Sequence, residues 1–345
     1  MGNRYIRPAR GTREEMSDEP KKVALACQGG GSHTAFTAGA LQRLLPEIAT
    51  DGYDIVGFSG TSGGAVCALL GWYGTVSPDH APSALLGEFW NELKARRPAE
   101  RYLNDLAVGT AALRTMGVPF PQFSPRQTPA GAVGQREFRS LLEKYVDFEH
   151  ARELSTVIRE RRRQEGAVHP ALLVSAIDVL TGDFRVFRGR EMSPEAVLAS
   201  AAEPGLFGAV EIDGRHYWDG LFSKNPPVRD FSTTEDIPDP DEVWVIQINP
   251  SKRSSVPHAL EEIEDRRNEL SGNTSLEQEV EFIEQVNEWV DAGYLPDRYT
   301  HTDVKRVRFS EELRWSTKLD RSPAFIDALF RTGRAAADQF TDEQE

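Results

Sequence analysis

Short apolar runs alternate with segments of helical spacing along the first quarter of the chain. The runs Lys22–Cys27 and Tyr53–Ser59 are mostly apolar, as is typical of strands that are buried on both faces. Each run leads into glycines and then into a segment of helical spacing, residues 34–46 and 65–73. The first helix is predicted to stop at Pro46, because proline lacks the N–H that a helix interior needs. This β-α-β-α order predicts parallel strands connected by crossover helices.

Six further strands are predicted in the second half of the chain, where short β-branched and aromatic runs recur between turn residues. The dipeptide Asp213-Gly214 is a strong hairpin signal between two of them. The predicted strands cover Ala171–Ile177, Asp183–Phe187, Ala209–Ile212, Arg215–Trp218, Glu242–Ile248 and Val304–Phe309.

The C-terminal part is predicted to be helical over residues 258–292 and again from Ser322. Two helices are expected within 258–292, because Ser275 followed by Gln278 forms a capping-box pattern. The second of these helices carries an apolar stripe that is expected to face the core. The stripe consists of Leu276, Val280, Ile283, Val286 and Val290.

The charge balance narrows the classes of function. The 345 residues include 40 Lys and Arg against 54 Asp and Glu, which gives a net charge of −14. Nucleic acid is not an expected partner, because such binding depends mainly on neutralising phosphates. Residues 1–20 are expected to form a mobile polar tail, and the charge-free stretch 55–78 is expected to be a buried strand, turn and helix. We expect one domain over residues 21–345 in the cytoplasm, with peripheral, transient contact at the inner membrane surface.

Metal and disulfide chemistry are not expected. The two cysteines, Cys27 and Cys67, lie in apolar surroundings and are too few for a zinc site or a disulfide framework. Both are therefore expected to be buried thiols. The acidic run at Asp236, Asp239 and Asp241 lacks the spacing of a calcium loop. We expect no cofactor.

The strongest chemical signal is Gly60-Thr61-Ser62-Gly63-Gly64, a GxSxG sequence between a predicted strand and a predicted helix. A serine in such a turn projects its hydroxyl clear of the backbone. The following helix points its N-terminus at the site, and the Gly63 N–H is placed to bond a developing oxyanion. Glycine-rich turns are also common without catalysis, so the strand–turn–helix context carries the prediction of a nucleophile.

A second glycine turn, Gly29-Gly30-Gly31, also lies between a strand and a helix. Because glycine has no side chain, its N–H groups can approach a substrate atom and complete an oxyanion hole. Dinucleotide binding is disfavoured, since Thr34 stands where GxGxxG requires its third glycine. A P-loop is disfavoured because no lysine follows either glycine turn.

A serine nucleophile needs a neighbouring base. The later histidines carry no recognisable motif; they are His216, His258 and His301. Asp219 is the better candidate, because two aromatic residues precede it and partly apolar surroundings raise the basicity of a carboxylate. A structural role for Asp219 in its turn remains an open alternative.

Taken together, these segments resemble the patatin-like phospholipases, which combine a glycine-rich oxyanion block, a GxSxG turn and a downstream Asp-Gly. The resemblance covers about residues 22–230, and parts of the C-terminal region resemble the tail of one bacterial-type branch. It implies a three-layer α/β fold with a mostly parallel central sheet, helices on both faces and a helical extension over about residues 255–340. The matching segments are QGGGSHTAFTAGAL, GFSGTSGGA, VLASAAEPGLF and DGRHYWDGLFSKNPP.

The resemblance also implies roles for individual residues. Ser62 would be the nucleophile and Asp219 the base, without a catalytic histidine. The implied oxyanion donors are the N–H groups of Gly29, Gly30, Gly31 and Gly63. Two positions depart from the usual pattern, since His33 stands where Arg or Lys is frequent and Leu221 stands where Gly or Ala is usual.

The function implied is a lipid acyl hydrolase of the phospholipase A type, acting on lipid or another acyl ester. Segment 102–123 is expected either to line or cap an acyl groove or to be ordinary helical packing. Two alternatives remain open: a soluble esterase or thioesterase that acts on small acyl esters, and a non-catalytic lipid-binding protein on the same fold. The sequence carries no signal for the oligomeric state.

Overall fold

The computed structural model describes residues 20–115, 124–125, 127, 129–165 and 168–344. The predicted tail, apart from Pro20, lies outside these residues, as does the end of segment 102–123. Eight strands form one sheet. The strands are β1 (Lys21–Cys27), β2 (Tyr53–Gly60), β3 (Ala171–Asp178), β4 (Phe184–Arg188), β5 (Val210–Ile212), β6 (Arg215–Asp219), β7 (Glu242–Gln247) and β8 (Asp303–Arg308).

The sheet is mixed and mostly parallel, as predicted. Strands β1, β2, β3, β7 and β8 run parallel. At the β3 side, β4 and β6 pair antiparallel with β3, and β5 pairs antiparallel with β6. Strand β1 lies in the interior, between β2 and β7. The predicted hairpin at Asp213-Gly214 joins β5 to β6, with a positive φ at both turn residues.

Helices cover both faces of this sheet, so the predicted three-layer arrangement is confirmed. Alternate residues of β1 enter different cores: Leu25 packs with α1, α2 and α10, whereas Ala24 packs with α9. The helices are α1 (Ala35–Thr50), α2 (Gly63–Val76), α3 (Pro82–Leu93), α4 (Pro98–Thr115), α5 (Pro129–Tyr145), α6 (Phe148–Glu165), α7 (Pro194–Ser200), α8 (Asp230–Thr233), α9 (Leu260–Asp291) and α10 (Pro323–Asp342).

Two helix boundaries differ from the prediction. Helix α1 continues through Pro46 to Thr50, because Ile48, beyond the proline, is buried in the core and its burial offsets the lost hydrogen bond. Residues 260–291 form one helix in place of two. Ser275 does not cap a helix there, since its hydroxyl donates to the Ser223 carbonyl oxygen at 2.7 Å.

Most of the other sequence expectations about the core are confirmed, although Val286 and Val290 at the end of the predicted α9 stripe are only half-buried. The first three residues of the predicted α9 stripe, Leu276, Val280 and Ile283, are buried. Both Cys27 and Cys67 are buried free thiols, and burial raises the pKa of Cys67 to about 12. Among the helices of the described residues, none combines the length and the apolar character that crossing a bilayer requires.

Candidate active site

The two glycine turns lie side by side at one edge of the sheet. Cys27 and Gly60 are register partners at the ends of the parallel strands β1 and β2. The turns that follow therefore leave the sheet at the same place, at the carboxyl ends of the strands, where open α/β sheets bind their ligands.

Ser62 stands on a sharp turn between β2 and α2. Its φ of 56° lies in the left-handed region, which non-glycine residues rarely adopt. The flanking glycines permit this turn, because a Cβ on Gly60 would lie 2.4 Å from the Gly64 carbonyl oxygen and one on Gly64 would lie 2.3 Å from that of Cys27. The predicted strand–turn–helix context of the GxSxG sequence is therefore present.

Buried hydroxyl groups hold this turn in place. The Ser62 N–H donates to Ser200 Oγ at 2.9 Å, and Ser200 is fully buried at the end of α7. One residue earlier, Thr61 Oγ1 donates to the Lys224 carbonyl oxygen at 2.7 Å and lies 2.7 Å from Ser175 Oγ. These hydrogen bonds fix the backbone at Ser62 without using the Ser62 side-chain hydroxyl.

Asp219, the last residue of β6, is buried beside Ser62. The Ser62 hydroxyl lies near its carboxyl and favours the ionised form, and the carboxyl accepts the Leu221 N–H at 2.9 Å. Desolvation by burial raises the pKa of Asp219 to about 7, against the opposing effects of the Leu221 N–H and the Ser62 hydroxyl, and nearby Glu203 adds to the rise. A carboxyl with a pKa near neutrality, in contact with a hydroxyl, can act as a general base.

The backbone N–H groups around Ser62 differ in availability. The Gly29 N–H donates to Asn225 Oδ1 at 2.8 Å, so it is already occupied. Across the described part of the chain, no acceptor lies against the N–H groups of Gly30, Gly31 or Gly63. Gly31 has a φ of 60°, and a Cβ there would lie 2.5 Å from the Lys318 carbonyl oxygen. These three N–H groups have no hydrogen-bond acceptor among the described residues.

His33 contacts residues of the C-terminal part of the chain. Its Nε2 lies 2.8 Å from Thr317 Oγ1, and its ring meets Phe325 edge-on. Burial, with a contribution from Lys318, lowers the pKa of His33 to about 3. The imidazole is therefore neutral, and His33 does not replace the cation that the family often carries in this block.

The three later histidines take no part in the arrangement. His301 lies at the surface between Asp291 and Asp303, and His258 is exposed before α9. His216 lies in β6, three residues before Asp219. Within the described ranges, no hydrogen bond joins any of them to Ser62.

Several polar residues that support the site were not assigned a role from the sequence. Gln28, fully buried before the glycine turn, accepts the N–H groups of Ile248 and Asn249 and donates to Asn273 Oδ1 at 3.0 Å. Asn225 fixes Gly29 and is itself fully buried. The sequence signal for Gln28 is its position as a polar residue between the apolar run Lys22–Cys27 and three glycines. Ser200 and Asn225 lie in segments that resemble the family.

A cavity of about 610 Å³ lies away from Ser62. It is lined by Tyr53, Pro170 and residues near the ends of α1 and α2, so it opens at the amino ends of β2 and β3. The proposed chemistry does not involve this cavity.

Comparison with known proteins decides the family. A family model described as patatin-like phospholipase matches residues 25–232. The chain belongs to the patatin-like phospholipase family. The resemblance drawn from the sequence motifs is thereby confirmed, and membership supports lipid acyl ester hydrolysis as the class of activity.

Solved structures align with this chain at low sequence identity. VipD from Legionella pneumophila aligns with a TM-score of 0.45 and 14% identity, over 95% of this chain and 67% of the VipD chain. ExoU from the type III secretion system of Pseudomonas aeruginosa, in its heterodimeric complex with SpcU, aligns with a TM-score of 0.38 and 14% identity. That alignment covers 94% of this chain but only 52% of ExoU. No curated protein sequence matches the chain.

Proposed function

We propose that this protein is a phospholipase A-type lipid acyl hydrolase that cleaves carboxylic ester bonds through a Ser62–Asp219 dyad. The observation that carries the proposal is the buried Asp219 carboxyl near the Ser62 hydroxyl, with its pKa raised to about 7 by burial. The hydroxyl stands on the family's GxSxG turn and faces a turn with unoccupied N–H groups. A nucleophile, a base and anion donors are therefore within reach of one ester group.

The first half of the reaction forms an acyl-enzyme. Asp219 accepts the Ser62 proton while Oγ attacks the ester carbonyl carbon, and the carbonyl oxygen becomes an oxyanion. The N–H groups of Gly30, Gly31 and Gly63 hydrogen-bond to that oxyanion, and each such donor typically contributes about 10²–10³ in rate. The C–O bond then breaks, and the leaving alkoxide takes the proton from Asp219 as an alcohol.

The second half regenerates the enzyme with water. Asp219 accepts a proton from water, whose oxygen attacks the acyl carbon and forms a second oxyanion in the same donor site. Collapse of this intermediate breaks the bond to Ser62 Oγ, which takes the proton back from Asp219. The products are a carboxylic acid and an alcohol. Gly29, whose N–H is bonded to Asn225, allows the two turns to approach closely, since its Cβ position lies 2.6 Å from the Thr61 carbonyl oxygen.

Labelling with a fluorophosphonate probe, followed by intact-mass analysis, tests the dyad. The wild type should gain one adduct, Ser62→Ala should gain none and Asp219→Asn should react much more slowly. The matched controls are Ser59→Ala, which removes a buried hydroxyl from β2, and Asp178→Asn, which changes a buried carboxyl at the end of β3. Both controls should label like the wild type.

Substrate class is tested separately, with phospholipid vesicles and a small monomeric ester. Faster hydrolysis of the vesicle substrate by wild type, but not by Ser62→Ala, is the expected result. Turnover of the small ester alone would favour a soluble esterase or thioesterase. Vesicle binding without labelling or turnover would favour a non-catalytic lipid-binding protein and would overturn the proposal.

A further inference from the structure

Helix α4 is oriented with a polar residue inward and its apolar residues outward. Asn104 is 5% exposed, and it accepts the Arg321 N–H at 2.7 Å and donates to Asp320 Oδ1 at 3.2 Å. These bonds fix the rotation of the helix about its axis. The large apolar residues left on the outside are Tyr102 (68% exposed), Leu103 (60%), Leu106 (53%) and Leu113 (42%).

The first half of α9 also has polar residues facing inward and apolar residues facing outward. Its inward residues Asp265 and Glu269 are buried, and both are paired with Arg253. Asp265 also binds Lys318 at 2.7 Å. The apolar residues of this half instead face outward, namely Leu260, Ile263 and Leu270. Water-facing apolar side chains at helical spacing are unfavourable by about 25 cal/mol per Å² unless something covers them.

Both helices lie close to the proposed oxyanion site. Helix α4 packs against α9, and both pack against the 3-10 helix Trp315–Leu319. That short helix supports the glycine turn directly, since Thr317 contacts His33 and the Lys318 carbonyl oxygen abuts Gly31. Both helices therefore lie beside the end of the sheet at which Ser62 stands.

Exposed arginines accompany the apolar face of α4. Arg96 and Arg97 lie just before the helix and Arg101 lies in its first turn, all three exposed, in a chain whose net charge is −14. Arg97 forms an ion pair with Glu100 at 3.7 Å. A helix with leucines and tyrosine on one side and arginines at its edge matches the pattern of helices that lie in a lipid interface. The guanidinium groups complement lipid phosphates, which attract basic side chains near the surface.

We propose that the outward faces of α4 and of the first half of α9 dock the protein on a phospholipid surface, with the arginines at the start of α4 against lipid phosphates. The inference rests on the proposed function, because a lipid hydrolase must reach ester groups held in an aggregate. The docked faces lie at the edge of the sheet that carries Ser62, so the same contact that binds the lipid surface brings it to the active site.

The test measures binding to phosphatidylcholine vesicles that contain phosphatidylglycerol, with every variant in a Ser62→Ala background. Loss of hydrolysis therefore cannot affect the result, and a failed catalytic proposal remains distinguishable from a failed docking proposal. Replacing both Leu103 and Leu106 by Asn should weaken binding at least about tenfold. Arg101→Gln should weaken, roughly fivefold, only the part of vesicle binding that depends on phosphatidylglycerol.

The matched control is Val157→Asn on α6, an exposed apolar residue beside the cavity at the other end of the sheet, which should bind like its parent. Thermal unfolding midpoints show whether the exposed substitutions leave the fold intact. Unchanged binding of the Leu103/Leu106 double variant overturns the proposal, as does absence of binding by the parent. A concentration-dependent dimer that the double variant abolishes, with vesicle binding retained, would assign the face to a second copy of the chain.

Discussion

The Ser62 N–H and the Ser200 Oγ form a 2.9 Å hydrogen bond across 138 positions of sequence. Ser200 is fully buried. Its hydroxyl oxygen therefore gives the N–H of the strained residue Ser62 a hydrogen-bond acceptor where water is excluded. The bond ties the GxSxG turn to α7, which belongs to the segment VLASAAEPGLF that leads towards Asp219.

Ser200→Ala should lower kcat by roughly tenfold and leave KM nearly unchanged, because the buried Ser62 N–H loses its acceptor and the hydroxyl shifts from its line of attack. Steady-state kinetics on a phospholipid substrate measure this. Ser200→Thr should restore most of the rate, since threonine keeps the hydroxyl.

Ser193→Ala is the control, because Ser193 caps the same helix by accepting the Ala196 N–H at 3.1 Å. It should cost about 1 kcal/mol of stability without changing kcat. Wild-type kcat in Ser200→Ala would contradict the positioning role.

The pH dependence of the proposed reaction should report Asp219. The base must be ionised, and its pKa is raised to about 7, so kcat/KM should rise about tenfold per pH unit below that value and level off above it. The residual activity of Asp219→Asn should not show this rise of kcat/KM with pH. A profile that is flat between pH 5 and pH 8, roughly the range over which only such perturbed groups and histidine titrate, would remove Asp219 as the base.

The same carboxyl should make the protein less stable as pH rises. The pKa of Asp219 in the folded protein is about 7, above the value of ~4 expected in the unfolded chain. Between these values the folded state holds a proton that the unfolded state has released, so the stabilisation present below ~pH 4 is lost by about pH 7. The loss is on the order of 4 kcal/mol.

Asp219→Asn removes this titration while keeping the shape of the side chain. Denaturant unfolding should therefore find the variant more stable than wild type at pH 8, although it is nearly inactive. The difference should shrink towards pH 4. Equal pH dependence in both proteins would mean that the buried carboxyl does not carry the shifted pKa.

Gly63→Ala should damage the site, since its Cβ would lie 2.3 Å from Thr34 Oγ1 and 2.9 Å from the Gly31 carbonyl oxygen. The two glycine turns must then move apart, which displaces the Gly63 and Gly31 N–H groups from a shared oxyanion. A fall in kcat/KM of about 10²-fold or more is expected. Gly208→Ala is the control, because its Cβ would meet nothing within 4 Å, and it should behave as wild type.

Local patterns were sufficient to predict the strands and the neighbourhood of Ser62. An apolar run such as Lys22–Cys27 indicates little other than a buried strand. The GxSxG sequence determines the backbone conformation of its own turn. Asp219 could be proposed because its motif is local as well. The pairing of Ser62 with Asp219 could not be shown from spacing, since it depends on how β6 joins the sheet.

The supporting residues were harder to predict, because each acts across a long stretch of sequence. Gln28 reaches Asn273 on α9, and nothing near either residue indicates the other. The same holds for Ser275, whose capping pattern suggested a helix start. Its contact with the Ser223 carbonyl oxygen and the buried stripe of α9 keep the helix continuous instead.

The place of β1 between β2 and β7 has a consequence for synthesis of the chain. Both glycine turns are complete by residue 64, yet β7 begins at Glu242, beyond the family-matching region that ends at residue 232. Until β7 has emerged from the ribosome, one edge of this apolar strand is open and Gln28 lacks its partners. Under the proposed mechanism, the nascent chain would carry the Ser62 nucleophile long before its active site is complete. The growing polypeptide would therefore not attack nearby lipid, and early chain termination would leave an aggregation-prone open strand.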